Sequence, residues 1–432
     1  VDEETEILTA DGWKTVHDLR VGDEVLTLNH EKGMSEWQPV LEVCIFPAGR
    51  REMILMEGRG HSSLSTPDHR WPVITNNGYR VWKTTETLNC HSHIPLAALC
   101  ASLPQEAKYT DAFVELTGWF WTEGQIRNTH AVRITQALKN AANVDRIDAA
   151  LRSVFGPPVP SLGLRLPEPR WRRDIDEDRN VRFVLNAAAG SQLVHIAPGR
   201  VVRHDFLRSL TPAQLDLFIK VSMLADNCGP TRLAQKNRAT AEAFQFAAIL
   251  AGYATSLIER VYKPRESVPS TRNGDYSMWG VTLQKRKQFN PVANVREAQH
   301  KGVPGFVMDR TEHDGIVWCP RTENMTCLAR RNGHCYFTGP TVPPAPAPAI
   351  SSPAPGSDRG RDLIRRARQI RHDAGVGFGA MARQLGVSNP TLHIWETNPP
   401  PRMGCYPATW GTPERWVAIL DVLDRLGDAE GR

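Results

Sequence analysis

Two carboxylates occupy matching places in a loosely repeated pattern. Glu123 closes the apolar run Leu116-Thr117-Gly118-Trp119-Phe120-Trp121-Thr122, and Asp226 closes Ser222-Met223-Leu224-Ala225. Each is followed by a related triplet, Ile134-Thr135-Gln136 or Leu233-Ala234-Gln235, then a helical stretch, then Phe155-Gly156 or Ala251-Gly252. The offsets between the copies are 103, 99 and 96 residues, which suggests two αββα-like units related by a pseudo-dyad. A single acid at a helix end is ordinarily a solvated charge. Two in equivalent positions would meet if their helices pack, and like charges held together are commonly neutralised by a shared divalent cation. Mg²⁺ held by Glu123 and Asp226 would activate water against a phosphodiester and stabilise the leaving oxygen.

A second constellation is Thr66-Pro67-Asp68-His69-Arg70-Trp71, after the strand-like Ser62–Ser65. A Thr hydroxyl and a His three residues apart on a turn can converge on one carbonyl or one departing amide nitrogen. The simpler reading is a turn whose His caps its own loop. Cys319, between Trp318 and Pro320, is a candidate thiolate nucleophile. Cys319, Cys327 and Cys335 recur every eight residues, which places them on one face of β structure. That is not a zinc-knuckle spacing. His91 and His93 lie near Cys90 and Cys100, but no C-x-x-C occurs, so structural zinc is disfavoured.

The elements that must position these groups fall into blocks. Glu6–Thr9, an Asp11-Gly12 turn, Trp13–Leu19, Val21-Gly22-Asp23 and Glu24–Leu28 open a β-rich stretch, with further runs at 53–56, 62–65 and 71–74. Helical spacing begins at Phe113, Leu116, Thr117 and Phe120, continues over 141–154, and returns at 211–228 and 238–251. Residues 157–200 are Pro- and Arg-rich with strand-like pieces, and 316–338 is β again. The reading is a β-rich domain (1–104 and 299–340) split by an α/β insertion (105–298).

Residues 341–357, TVPPAPAPAISSPAPGS, hold six Pro, four Ala and three Ser and form a semi-rigid spacer, with 341–358 as the linker. Beyond it, 359–383 carries seven Arg against two Asp. Leu363, Ala367, Ile370 and Ala374 make an apolar stripe, so Arg365, Arg366 and Arg368 cover the other faces. Phe378, Met381, Ala382 and Leu385 then precede Gly386-Val387-Ser388 and a short second helix with Leu392 and Trp395. A helix, a Gly turn and a Ser-capped helix predict an all-α helix-turn-helix over 359–432. Its second helix would offer Asn389, Thr391 and His393 to a major groove.

Composition narrows the class. The 432 residues carry 52 Lys+Arg against 47 Asp+Glu, a net +5 that suits a polyanion without requiring one. No run of 18 apolar residues exists, and the acidic opening lacks a secretory pattern. Eight cysteines are too few for a disulfide scaffold. The expectation is a monomer in the reducing cytoplasm, off the membrane.

Taken together, these motifs over about 1–340 resemble an intein carrying a LAGLIDADG homing endonuclease. Glu6–Lys14 with Leu19–Leu26 resembles the family's first block, and Ser65–Trp71 its T-x-x-H block. Leu328–Gly333 through Phe337-Thr338-Gly339 resembles its closing blocks, and 116–124 and 219–227 the two LAGLIDADG motifs. The resemblance implies a horseshoe-like Hint domain split by a pseudo-twofold endonuclease, with Glu123 and Asp226 as catalytic acids. It implies Mg²⁺ as cofactor, and double-stranded DNA and flanking host protein segments as partners. The C-terminal segment resembles a Cro/repressor-type helix-turn-helix, either a host remnant or an added targeting domain.

The departures are informative. The chain begins with Val1 where an ordinary intein has Cys or Ser. Trp71, Cys319 and Thr338 match the Trp–Cys–Thr signature of the class that dispenses with that first nucleophile, in which the internal Cys attacks the N-terminal scissile bond. Pro340 stands where the cyclising Asn should be, which implies loss of the C-terminal step. Asn227 replaces a Gly of the second motif, a change expected to loosen helix packing. Arg200 falls at the catalytic-Lys position of the first half, and Lys285 is the candidate in the second. The competing reading is a DNA-binding regulator with an inactive nuclease fold, which Arg200 and Asn227 favour.

Overall fold

A computed structural model describes residues 1–127, 130–158, 170–176, 179–262, 276–294 and 306–340. The chain divides into Val1–Pro343 and Pro344–Arg432, the division falling in the Pro/Ala-rich spacer. The expected helix-turn-helix, with Arg365, Arg366, Arg368, Asn389, Thr391 and His393, lies outside the described residues. The described part is mixed α/β, sheet-rich, and without a closed barrel. None of its helices is long and apolar enough to cross a membrane.

The β-rich part opens with β1 (Glu6–Thr9), β2 (Gly12–Lys14), β3 (Glu24–Asn29) and β4 (Met34–Pro39). Next come β5 (Glu42–Gly58), β6 (His61–Ser65), β7 (Arg70–Ile74), β8 (Arg80–Thr84) and β9 (Ile94–Pro95). The insertion supplies α1 (Asp111–Glu123), β10 (Gly124–Ile126), β11 (Val132–Ala137), α2 (Ala141–Phe155), β12 (Trp171–Asp176), β13 (Asn180–Leu185) and α3 (Ala187–Ile196). After α4 (His204–Arg208) follow α5 (Pro212–Asp226), β14 (Arg232–Gln235), α6 (Arg238–Leu250), β15 (Ala254–Tyr262) and β16 (Tyr276–Gln284). The chain then returns through β17 (Gln288–Phe289), α7 (Pro291–Asn294), β18 (Val307–Arg321), β19 (Cys327–Arg331) and β20 (His334–Thr338).

The repeat is real in outline and larger than the αββα unit expected. In the first copy α1 leads into a four-stranded sheet ordered β10-β11-β13-β12. In the second, α5 leads into β14-β16-β15 in the corresponding order, with β10's counterpart reduced to one bridge between Asn227 and Leu233. Each copy is therefore larger, with two further strands after its second helix. The stretch 157–200 obscured this, because it contains α3, whose start is capped by the Asn186 side chain accepting from Ala189 N–H. Gln288-Phe289 pairs with Pro95-Ile94 of the β-rich part.

The long antiparallel pair of β5 and β18 runs from Val307↔Glu57 to Arg321↔Glu42, shifting register between Gly315 and Val317. The closing hairpin β19–β20 turns on Asn332 and Gly333, both at positive φ (46° and 78°), the Asn-Gly signature of a tight hairpin. Gly333 is required a second time. A Cβ there would overlap the Leu257 carbonyl of β15, and the Leu257 N–H donates to the Gly333 carbonyl at 2.8 Å. Through this approach and the Ser256↔His334 pair, one sheet runs β14-β16-β15-β20-β19-β1-β3-β4 across insertion and β-rich part alike. One hydrophobic core likewise joins Leu8, Leu26, Leu328 and Phe337 to Phe244, Phe246 and Leu257.

Candidate functional site

The acid pair is built by two helices that begin on strong caps. Thr110 accepts from Phe113 N–H to start α1, and a Thr211/Gln214 capping box with Pro212 starts α5. The helices approach closely at Gly118, where a Cβ would come 2.8 Å from Val221 Cγ1. Trp121 Nε1 donates to Ser222 Oγ at 2.9 Å across the seam. Glu123 and Asp226 are the last residues of the two helices, both half-buried. Burial first, then the Asp226 charge, pushes the Glu123 carboxyl up to about 7. Burial also raises Asp226, against a short hydrogen bond donated by Gln235 Nε2.

Arg200 is the cation whose charge acts on both acids. It stands at φ 68°, and its Nη1 donates to the Thr122 carbonyl at 2.9 Å. A guanidinium there satisfies an orphan carbonyl and opposes the negative end of α1. The triplets of the two copies part company: Gln235 holds Asp226, whereas Gln136 accepts from Ala137 N–H and Asn140 Nδ2. Lys285 lines a groove with Met223, Asn227, Gly229 and Tyr253, Asn227 being the residue after Asp226. Asn227 sits at φ −76°, ψ 145°, nearly the −79°, 155° of Gly124 in the first copy, and its Nδ2 donates to the Met223 carbonyl.

Strand alternation gathers cations that the sequence reading passed over. Registers Arg133↔Val184↔Arg172 and Thr135↔Arg182↔Asp174 put Arg133, Arg172 and Arg182 on the face opposite Ile134 and Phe183. Arg127, Arg182 and Arg172 all act on the Arg133 guanidinium, with Asp174 the counter-charge at 3.0 Å from Arg172. Alternation of Arg with Val and Phe over 132–134 and 181–185 was the available signal.

A second site forms where the chain start and the closing hairpin meet. Val1 is buried: its amino nitrogen donates to the Trp318 carbonyl at 3.0 Å, and Trp318 N–H donates back to the Val1 carbonyl at 2.8 Å. Cys319 is therefore the residue next to Val1's partner, and burial lowers the Val1 amine while the Cys319 and Asp68 charges raise it. His69 Nε2 shares a 2.6 Å hydrogen bond with Thr338 Oγ1. Burial and the nearby amino terminus hold His69 well below the usual range, so the ring is neutral. Arg70 N–H donates to the Pro340 carbonyl at 3.1 Å and Gly339 N–H to the Arg70 carbonyl at 3.0 Å. Thr66 is on the His69 turn, its hydroxyl buried with no hydrogen-bond partner among the described residues. The Trp71 ring packs edge-on to His69 at 5.0 Å and its indole N–H donates to Thr85 Oγ1 at 2.9 Å.

No protein-family model and no curated protein matches the chain. Among solved structures, the chain is similar to one described as mesophilic variants from the homing endonuclease I-DmoI. The two are 12% identical, the match covers 40% of this chain and 83% of that chain, and the TM-score is 0.27. The functional reading therefore rests on the sites themselves.

Proposed function

We propose that the chain is a site-specific endonuclease for double-stranded DNA, set inside a Hint-type splicing domain. The observation that carries the nuclease reading is the pairing of Glu123 and Asp226 at the ends of two locked helices, where the Asp226 charge hinders ionisation of Glu123. The donor set fits a hard divalent cation: two carboxylates, and among the described residues no third His, Cys, Asp or Glu to complete an all-protein cage. Mg²⁺ held by Glu123 and Asp226 would supply an activated water and stabilise the leaving oxygen of a phosphodiester. The chain's own residues prepare that site. Gln235 fixes Asp226, Arg200 tempers the local negative charge, and the arginine face of β11, β12 and β13 supplies phosphate contacts.

The test is a library of duplex sites incubated with and without Mg²⁺. Glu123→Gln and Asp226→Asn should each abolish cutting while binding persists, because affinity comes mainly from basic contacts to phosphates. Cutting by the double variant would overturn the assignment. Tight binding with no cutting by the wild-type chain would favour the regulator reading instead.

The splicing reading is carried by the convergence of Val1, Cys319, His69 and Thr338. With a polypeptide joined upstream of Val1, Cys319 Sγ would attack the preceding carbonyl, forming a thioester as the Val1 nitrogen leaves and takes a proton. Thr66 would polarise that carbonyl, the neutral His69 would take up the proton released from the Cys319 thiol and return it to the departing amine, and Trp71 would fix the His69 ring. A reporter fused upstream should be released by added thiol, and Cys319→Ala should prevent it. Ligated product should not form, because Pro340 has no side-chain amide to cyclise; its appearance would refute this reading of the closing block.

A further inference from the structure

We propose that Cys44 and Cys319 form a reversible disulfide-forming site that takes a small-molecule disulfide as co-reactant and silences the Cys319 thiol. The inference rests on the splicing reading for its consequence, though not for its chemistry. Cys44 and Cys319 are directly opposite in the β5–β18 ladder, so both side chains leave the same face. Trp318 turns its N–H and C=O to Val1. By alternation Cys319 turns its own to Cys44, the pairing in which Cα atoms lie ~5.5 Å apart. Disulfides span Cα separations of about 4.4–6.8 Å, which this register satisfies, and a small local adjustment must bring the Cβ atoms from about 5.5 Å to within about 4.5 Å.

The two thiols are near enough to act on each other: after burial, Cys319 contributes to the Cys44 thiol's rise to about 11. Neither is in a disulfide. They differ in access, Cys319 being 2% exposed and Cys44 partly exposed. That difference sets the order of events. The Cys44 thiolate attacks the small disulfide, forming a mixed disulfide and expelling one small thiolate. Cys319 then attacks the Cys44 sulfur and expels the second. Two protein thiols lose their protons to the two departing thiols, and the small disulfide takes up the two electrons. The elevated Cys44 value makes the first step slow at neutral pH and faster as pH rises. Cys327 is the competing partner for Cys319 by charge, but it is fully buried and paired in register with Thr338.

The experiment uses the full chain with a reporter fused upstream of Val1, treated with oxidised glutathione and then with reductant. Peptide mapping after alkylation should recover a Cys44–Cys319 crosslink in the oxidised chain. Upstream release, driven by hydroxylamine so that no thiol reduces the pair, should be lost with it and return on reduction. Cys44→Ser should yield no crosslink and should release the reporter with or without oxidant. Recovery of Cys44 and Cys319 as alkylatable thiols, or of a Cys319–Cys327 link, would overturn the proposal. Mapping decides this even if the reduced chain releases nothing, an outcome that would count against the splicing reading alone.

Discussion

Glu123 carries a charge the fold resists. Its carboxyl is pushed from 4.5 to about 7, so between those values the folded chain binds a proton that the unfolded chain has released. Stability without metal therefore falls as pH rises through that window and is lowest above about 7. Glu123→Gln should raise the melting temperature of the metal-free protein at pH ~8 and leave it unchanged near pH ~4. For a half-exposed carboxyl the gain is on the order of 1 kcal/mol after solvent screening. Mg²⁺ binding should release a proton near neutrality, and cutting should increase as pH passes through about 7. Both acids could be picked out of the sequence because the repeat marks them. Gln235's hold on Asp226 and Arg200's cap on Thr122 could not, because hydrogen bonds are not written in residue spacing, whereas the arginine face left a trace in the alternation of Arg with apolar residues over 132–134 and 181–185.

Among elements, the α1–α5 seam sets how closely the acids meet. Gly118→Ala places a methyl within 2.8 Å of Val221 Cγ1, and overpacking of this kind costs about 1–3 kcal/mol. Adding Val221→Ala to the same chain should recover most of the lost stability and the cutting, as read by thermal melts and cleavage rate. A second joint is Arg330, 1% exposed, bonded to Glu6 of β1 and Glu242 of α6, with its guanidinium 4.3 Å from the centre of the Trp13 ring. Arg330→Met leaves Glu6 and Glu242 with the half-exposed Arg238 as their remaining cation and should destabilise by about 3 kcal/mol. Neutralising both acids with Gln in that background should restore much of the loss. The helices 111–123, 141–155, 212–226 and 238–250 were readable from apolar spacing, and the short strands from their turns. The β5–β18 pair was not, because charged residues at exposed positions such as Arg50, Glu52 and Arg310 interrupt the apolar run. Helix α3 was missed because its capping residue Asn186 lies inside a stretch dominated by Pro and Arg.

For the whole molecule, the spacer predicts that affinity and chemistry separate. A chain ending at Pro343 should retain the unit Val1–Pro343 and its cleavage chemistry while binding DNA more weakly. For every phosphate the shortened chain no longer neutralises, the log–log salt dependence of affinity should flatten by ~0.9. An unchanged slope would mean the arginine-rich tail does not engage the same duplex. The order of blocks along the chain was legible because composition shifts sharply at 341. That one sheet spans both parts was not, since Ser256 and His334 are 78 positions apart and nothing in either segment announces the other.

The shared sheet makes the two parts poor candidates for separate inheritance. A descendant that simply lost residues 105–285 would expose the flank of β20, leave Arg330 without Glu242, and turn Leu8, Leu26 and Phe337 from core into surface. Such a remnant would carry an unpaired strand edge beside an apolar face, the combination that favours edge-to-edge association, so shortening the chain would call for polar residues along that seam.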